Sequence, residues 1–128
     1  YHQLFYLIND KASIAHITND FGQLDFLLVN QFPSRKVYTY NLNEEHRSIA
    51  KASYINQKFK IKYADDLSEI WQNSNVLILS HLQQFNNDIP QNINQIILVC
   101  CKFKPNFSGF TQTRDELKIQ VFQRNETN

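Results

Sequence analysis

Four places along this chain carry side chains that could hold a ligand or move a proton, and each follows a strand-like run. They are Thr18-Asn19-Asp20-Phe21-Gly22, Asn41-Leu42-Asn43 with Arg47 one helical turn further on, Ala64-Asp65-Asp66, and Ser80-His81-Leu82. In open α/β sheets, ligands bind beyond the carboxyl ends of the strands at the point where the strand order reverses. The spacing of the four segments fits that arrangement.

Each segment implies a different chemistry. A phosphate loop uses glycines, so that the backbone can turn tightly and approach a pyrophosphate. The first segment has one glycine, Gly22, together with Thr18, Asn19 and Asp20 as polar groups. The Asp20 carboxylate repels phosphate and the Phe21 ring fills its space, so this is a degenerate cradle. In the second segment Asn41, Asn43 and Arg47 suit a ribose or its 2′-phosphate, while the plainer role for Asn43 is a helix cap and for Arg47 a solvated face. In the third, Asp66 can cap a helix, which leaves Asp65 to accept from an adenine amino group. In the fourth, Ser80 and His81 follow an apolar run, and a histidine there could serve as acid or base. No acidic or nucleophilic partner at a telling spacing supports His81, so a plain loop histidine is the competing role. His16 lies inside a strand and reads as a satisfied core or boundary residue.

The elements that must position these groups are read from periodicity. Residues 36 to 81 alternate strand, helix, strand, short helix, strand, which predicts crossovers and a parallel sheet. Leu4 to Ile8 and Ser13 to Thr18 are strand candidates, and a β-hairpin between them is the preferred arrangement. Asp20 with Gln23 has capping-box spacing, and Phe21, Leu24, Leu27, Leu28 and Phe32 fall on one stripe, with Asp25 outside it. Lys58, Lys60 and Lys62 alternate with Phe59, Ile61 and Tyr63, the pattern of a one-sided strand near a sheet edge. Val76 to Leu79 and Ile96 to Cys101 are unbroken apolar runs and belong at the sheet centre. Lys102 to Arg114 reads as an ordered loop anchored by phenylalanine rings, and Leu117, Ile119 and Val121 as a last strand.

A chain of 128 residues, 42% hydrophobic and 20% charged, fits one globular domain spanning 1–128. Its net charge of +1 comes from scattered basic residues, so neither a nucleic acid nor a membrane is an expected partner. Cys100 and Cys101 are neighbours in a strand and point to opposite faces, which reads as two reduced thiols in a cytoplasmic protein. No Cys/His spacing resembles a metal site. The chain starts at Tyr1 and has no methionine, which reads as a piece of a longer protein with a neighbouring domain or a homo-oligomeric partner.

Segments SIAHITNDFGQ, RKVYTYNLNEEHRSIAKA, YADDLSEIWQNSNVLILSH and NQIILVCCKFKP resemble the NAD(P)-binding domain of ornithine cyclodeaminase- and shikimate dehydrogenase-type enzymes. That resemblance covers residues 13 to 105. It implies a Rossmann-like three-layer α/β fold, an NAD(P) cofactor held by Thr18, Asn19, Asp20, Gly22, Asn41, Asn43, Arg47, Asp65 and Ser80, and a part in an oxidoreductase. The same stretch is similar to class I S-adenosylmethionine methyltransferases, whose third strand also ends in an acid that touches adenine, here Asp65. Both families use a glycine-rich loop that positions 18 to 23 do not reproduce. A non-catalytic assembly or recognition module of either descent is therefore the alternative.

Overall fold

The computed structural model describes residues 7–9, 12–20, 23–31, 36–52, 61–116 and 118–126. Strand β1 (Ser13–Thr18) leads to helix α1 (Gln23–Gln31), β2 (Lys36–Asn41), helix α2 (Glu44–Ala52) and the two-residue β3 (Lys62–Tyr63). A 3-10 turn (Leu67–Ile70), β4 (Val76–Ser80), β5 (Gln95–Val99), β6 (Phe110–Asp115) and β7 (Ile119–Arg124) complete the order. The seven strands form one sheet in the order β3-β2-β1-β4-β5-β7-β6. The first five are parallel, and β7 runs antiparallel to both β5 and β6. This is the expected Rossmann-like α/β architecture with a mostly parallel sheet.

The sheet centre follows from composition. Every residue of β4 is buried, as are Ile96 to Val99 of β5. Such strands, covered on both faces, need apolar side chains on both. Alternate residues divide into two cores. Ile14, Val37, Ile78, Ile97 and Val121 pack on one face with Leu24, Leu28 and Val29 of α1. Ala15, Ile17, Leu77, Leu79, Ile96 and Leu98 pack on the other with Ile70 and Ile93. Cys100 joins the first core and Cys101 the second, so the adjacent thiols do point apart, and both are free.

The two faces are covered unequally. The β1–β2 and β2–β3 connections step the same way along the sheet, and right-handed crossovers place α1 and α2 on one face. The other face is covered by the 3-10 turn and by the irregular segments 81–94 and 100–109. The turn is capped by Asp66, whose carboxylate accepts from Ser68 N at 3.1 Å, the capping role expected of it. In place of a helix, Phe85, Ile89, Phe103 and Phe107 pack against the second core.

Three expectations need revision. First, β1 is bonded on both edges by parallel strands, β2 and β4, which leaves no edge for the hairpin expected with Leu4 to Ile8. Most of that segment lies outside the described residues. Second, Phe110 to Asp115 is strand β6, where Lys102 to Arg114 reads as loop. Its side chains are mostly exposed because it is the sheet's outer strand, so it lacks the alternation that marks a half-buried strand. Gly109 turns the chain into it at φ +83°, a value that glycine adopts without steric cost. Third, Asp25, read as outside the helical stripe, is fully buried.

The packing gives a direct check. Ile78→Ala, at a 0% exposed site, should lower unfolding free energy by about 2–5 kcal/mol in urea denaturation. Leu42→Ala, at 54% exposure, should change it by less than about 0.5 kcal/mol.

Candidate functional site

The inward positions at the carboxyl ends of three neighbouring strands are polar, against the apolar rule for the rest of the sheet. His16 and Thr18 of β1 lie beside Thr39 and Asn41 of β2, and Thr18 lies beside Ser80 of β4. All five side chains are buried, on the face that α1 covers, and α1 places Asp25 over them. Buried polar groups on this scale persist only where hydrogen bonds satisfy them.

Here they form one chain. His16 Nδ1 donates to Asp25 Oδ1 at 2.7 Å, and Thr39 Oγ1 donates to the same oxygen at 2.5 Å. His16 Nε2 lies 2.7 Å from Ser80 Oγ, and Ser80 Oγ donates to Thr18 Oγ1 at 2.7 Å. Thr18 Oγ1 also accepts from the Asp20 backbone N at 3.1 Å. His16 thus bridges Asp25 and Ser80 through its two ring nitrogens. Burial alone would lower the His16 pKa, but the Asp25 charge and hydrogen bond, with a smaller contribution from Asp20, hold it above the ordinary 6.5. The Asp25 carboxylate therefore favours the protonated ring.

Asp25, His16 and Ser80 stand in the order of a hydrolytic triad, yet the arrangement cannot activate a nucleophile. A nucleophile must reach a substrate carbonyl, and Ser80 is fully buried, its Oγ held between His16 and Thr18. The chain is a strap that holds the end of β1. Tyr63 of the edge strand lies partly buried, packed against the first core. Burial first, then the Asp25 and Asp20 charges, push its phenol far above the ordinary value, so it stays neutral.

Above the strap lies the crevice formed by the residues after β1, β2 and β3. Asn41 ties it together, donating from Nδ2 to Asp20 O at 2.5 Å and accepting at Oδ1 from Asn43 N at 2.9 Å. Asn43 caps α2 through His46 N at 3.1 Å, and Asn19 O accepts from His46 Nδ1 at 3.2 Å. Arg47 donates to Asn41 O at 3.1 Å and to Asp65 O at 3.4 Å, and its guanidinium lies 4.9 Å from the Tyr40 ring centroid. Lys51 Nζ contacts Asp65 Oδ1 at 2.8 Å. Lys51's hydrogen bond and charge, followed by Arg47, hold the exposed Asp65 carboxyl below its ordinary value.

The structure thus brings Thr18, Asp20, Asn41, Asn43, Arg47 and Asp65 together, with Asn19 on the rim and Ser80 beneath. Gly22 lies outside the described residues. His81 is exposed, in a left-handed conformation at φ 56°, with its backbone N bonded to Val99 O. It stands apart from the strap. Sequence reasoning missed Asp25 because the helical stripe counts a carboxylate as outward-facing. The signal available was the run of polar residues at the last inward positions, Thr18, Asn41 and Ser80. Among the described residues, no group of three or more His, Cys, Asp or Glu side chains could hold a metal ion, and no helix is long and apolar enough to cross a membrane.

No family model matches this chain, and no curated protein matches it. Solved structures do. TrmK of M. capricolum, in complex with S-adenosyl-homocysteine, superposes with a TM-score of 0.68 at 16% identity, over 98% of this chain and 67% of that one. A Streptococcus agalactiae protein of the NADB-Rossmann superfamily gives 0.73 at 16% identity, over 99% and 68%. An rRNA methylase from Streptococcus thermophilus gives 0.62 at 9% identity, over 96% of this chain and 93% of that one. At such identities the likeness is one of fold. Among the neighbours compared, those with a stated activity are methyltransferases, and the dehydrogenase resemblance finds no counterpart among them.

The strap generates a pH prediction. The folded His16 pKa is raised, so folding takes up a proton. The stabilisation is complete below about 6.5, the unfolded value, and is lost as pH rises through the folded value. Thermal melts above about pH 6.5 should show falling stability. Asp25→Asn should flatten that slope and cost about 3–5 kcal/mol below it, since it leaves a buried cation unpaired.

Proposed function

We propose that this chain is a methyltransferase-type Rossmann domain whose crevice takes an S-adenosylmethionine-class ligand in place of a dinucleotide. The observation that supports this is the pair of carboxylates at the crevice, Asp20 after β1 and Asp65 after β3. A pyrophosphate needs glycine-lined backbone N–H groups, and a carboxylate there repels it. S-adenosylmethionine carries a sulfonium, an ammonium and an adenine amino group, each favoured by a nearby carboxylate. Asp20 suits the cationic amino-acid end and Asp65 the adenine. When bound, this ligand supplies an activated methyl group; Asp20 and Asp65 bind and orient, and the buried strap holds the β1 end in place.

The strand order adds support. A dinucleotide fold orders its strands 3-2-1-4-5-6, whereas this sheet inserts the reversed β7 between β5 and β6. The neighbours that share the fold include an S-adenosyl-homocysteine complex and an rRNA methylase. On that footing the macromolecular partner is an RNA, which replaces the expectation of no nucleic acid.

One observation favours a second reading. Asp65 is already paired with Lys51 and Arg47, and Asn41 already holds Asp20 O. A crevice closed by its own side chains describes a recognition module without a cofactor.

Thermal melts separate the two. S-adenosylmethionine or S-adenosyl-homocysteine at about a hundredfold over Kd should add roughly 2.7 kcal/mol, a rise in Tm on the order of 5–10 °C. NADH and NADPH should produce no shift. Asp20→Asn should reduce the response to both S-adenosylmethionine and S-adenosyl-homocysteine, since they share the ammonium that Asp20 suits. A flat response to all four ligands would leave the module reading standing, and a rise with NADPH alone would overturn both.

A further inference from the structure

The helix-free face carries a second concavity, of about 580 Å³, between segment 85–91 and segment 104–108. Parallel strands are usually joined by a helix, but the chain between β4 and β5 crosses this face as irregular backbone. Half-buried Phe85 and Phe107 supply the apolar lining. Their centroids are 6.4 Å apart, and Phe107 packs edge-on against Phe122 at 5.1 Å. Arg124 fixes the wall: it stacks 4.4 Å from the Phe110 centroid and donates to Ile93 O and Pro90 O at 2.7 and 3.0 Å.

The rim is amide-rich. Asn86, Asn87, Gln91 and Asn106 line it, all exposed, and none of these side chains makes a hydrogen bond among the described residues. Lys104 also lines it, without a carboxylate partner among those residues. Asp88 is the one carboxylate in the lining.

We infer that this concavity binds an unpaired nucleobase of a single-stranded nucleic acid, with Lys104 on the adjoining phosphate. A base is a flat ring with donor and acceptor atoms on its edge. Phenylalanine rings offer it a stacking surface, and side-chain amides match an edge because each presents a donor beside an acceptor. Asp88 accepts from an exocyclic amino group. A protein with a net charge of +1 cannot grip a long phosphate track, so the contact is local, one base with about one phosphate. A fully paired strand has no base to offer. The inference shares the RNA partner with the proposed function but not the crevice, so failure to bind S-adenosylmethionine leaves it untouched.

Fluorescence anisotropy with a labelled single-stranded RNA oligonucleotide tests it. Saturable binding is expected, with a log K against log salt slope of about −0.7, the value for one phosphate on a single strand. Lys104→Gln should remove that slope. Phe85→Leu, which keeps an apolar body but no aromatic face, should weaken binding about tenfold, and Asn106→Ala at an exposed site should weaken it severalfold. Circular-dichroism melts of the variants should match the unaltered chain. Absence of saturable binding would overturn the inference. So would equal binding by the RNA duplex or by inorganic polyphosphate, or folded variants that bind as well as the original.

Discussion

A single buried proton organises the carboxyl end of this sheet. His16 shares it with Asp25 Oδ1 at 2.7 Å, and its other ring nitrogen lies 2.7 Å from Ser80 Oγ. A buried charge is tolerated only when paired and hydrogen-bonded. The pair therefore constrains four elements at once: β1 through His16, α1 through Asp25, β2 through Thr39 and β4 through Ser80. Replacing a buried ion pair by apolar groups of similar volume is often neutral or stabilising. What the ion pair supplies is position. It fixes how far α1 stands from the strands, and through Thr18 it holds the backbone of Asp20, the first residue of the crevice with a charge.

The same constraint makes the two faces of the sheet unlike. On the α1 side, the inward positions pass from apolar Ile14, Val37 and Ile78 to polar His16, Thr39 and Ser80 within two residues along each strand. On the other side, Ala15, Ile17, Leu77 and Leu79 stay apolar to the end. On the α1 side the buried polar groups are thus gathered in one corner, beneath the crevice, where the strap links His16, Asp25, Thr39, Ser80 and Thr18. The helix-free face needs no such network and is covered by aromatic rings, which bury large areas with few backbone demands.

How much of this could be read from the chain depends on whether a residue's role is local. The parallel unit was legible because β-branched runs and helix caps are local signals, and Asp66 capping the 3-10 turn is an example. The edge position of β3 was legible from its lysine alternation, and the central position of β4 and β5 from their unbroken apolar runs. The crevice residues were legible as strand ends, down to the Asn43 cap. Asp25 was not, because its burial depends on an imidazole nine residues earlier and on a threonine of another strand. Strand β6 was hidden for a different reason: an outer strand beside an antiparallel partner needs little apolar surface, and FTQTRD carries little. The role of β7, whose buried residues include the adjacent Val121 and Phe122, shows only once its reversed direction is known.

That reversal has consequences beyond topology. Because β7 enters from the far end, Arg124 emerges beside the start of β5, where Asn94 O accepts from its backbone. Its side chain can then reach Pro90 and Ile93 and stiffen the segment that replaces a crossover helix. A parallel sixth strand would end at the crevice and leave that segment unsupported. The antiparallel hairpin thus supports the irregular segment between β4 and β5, and with it the phenylalanine-lined concavity. The crevice and the concavity depend on separate supports, a buried ion pair in one case and a stacked guanidinium in the other. Damage to either support should leave the other site intact, as expected for groups that share no partners.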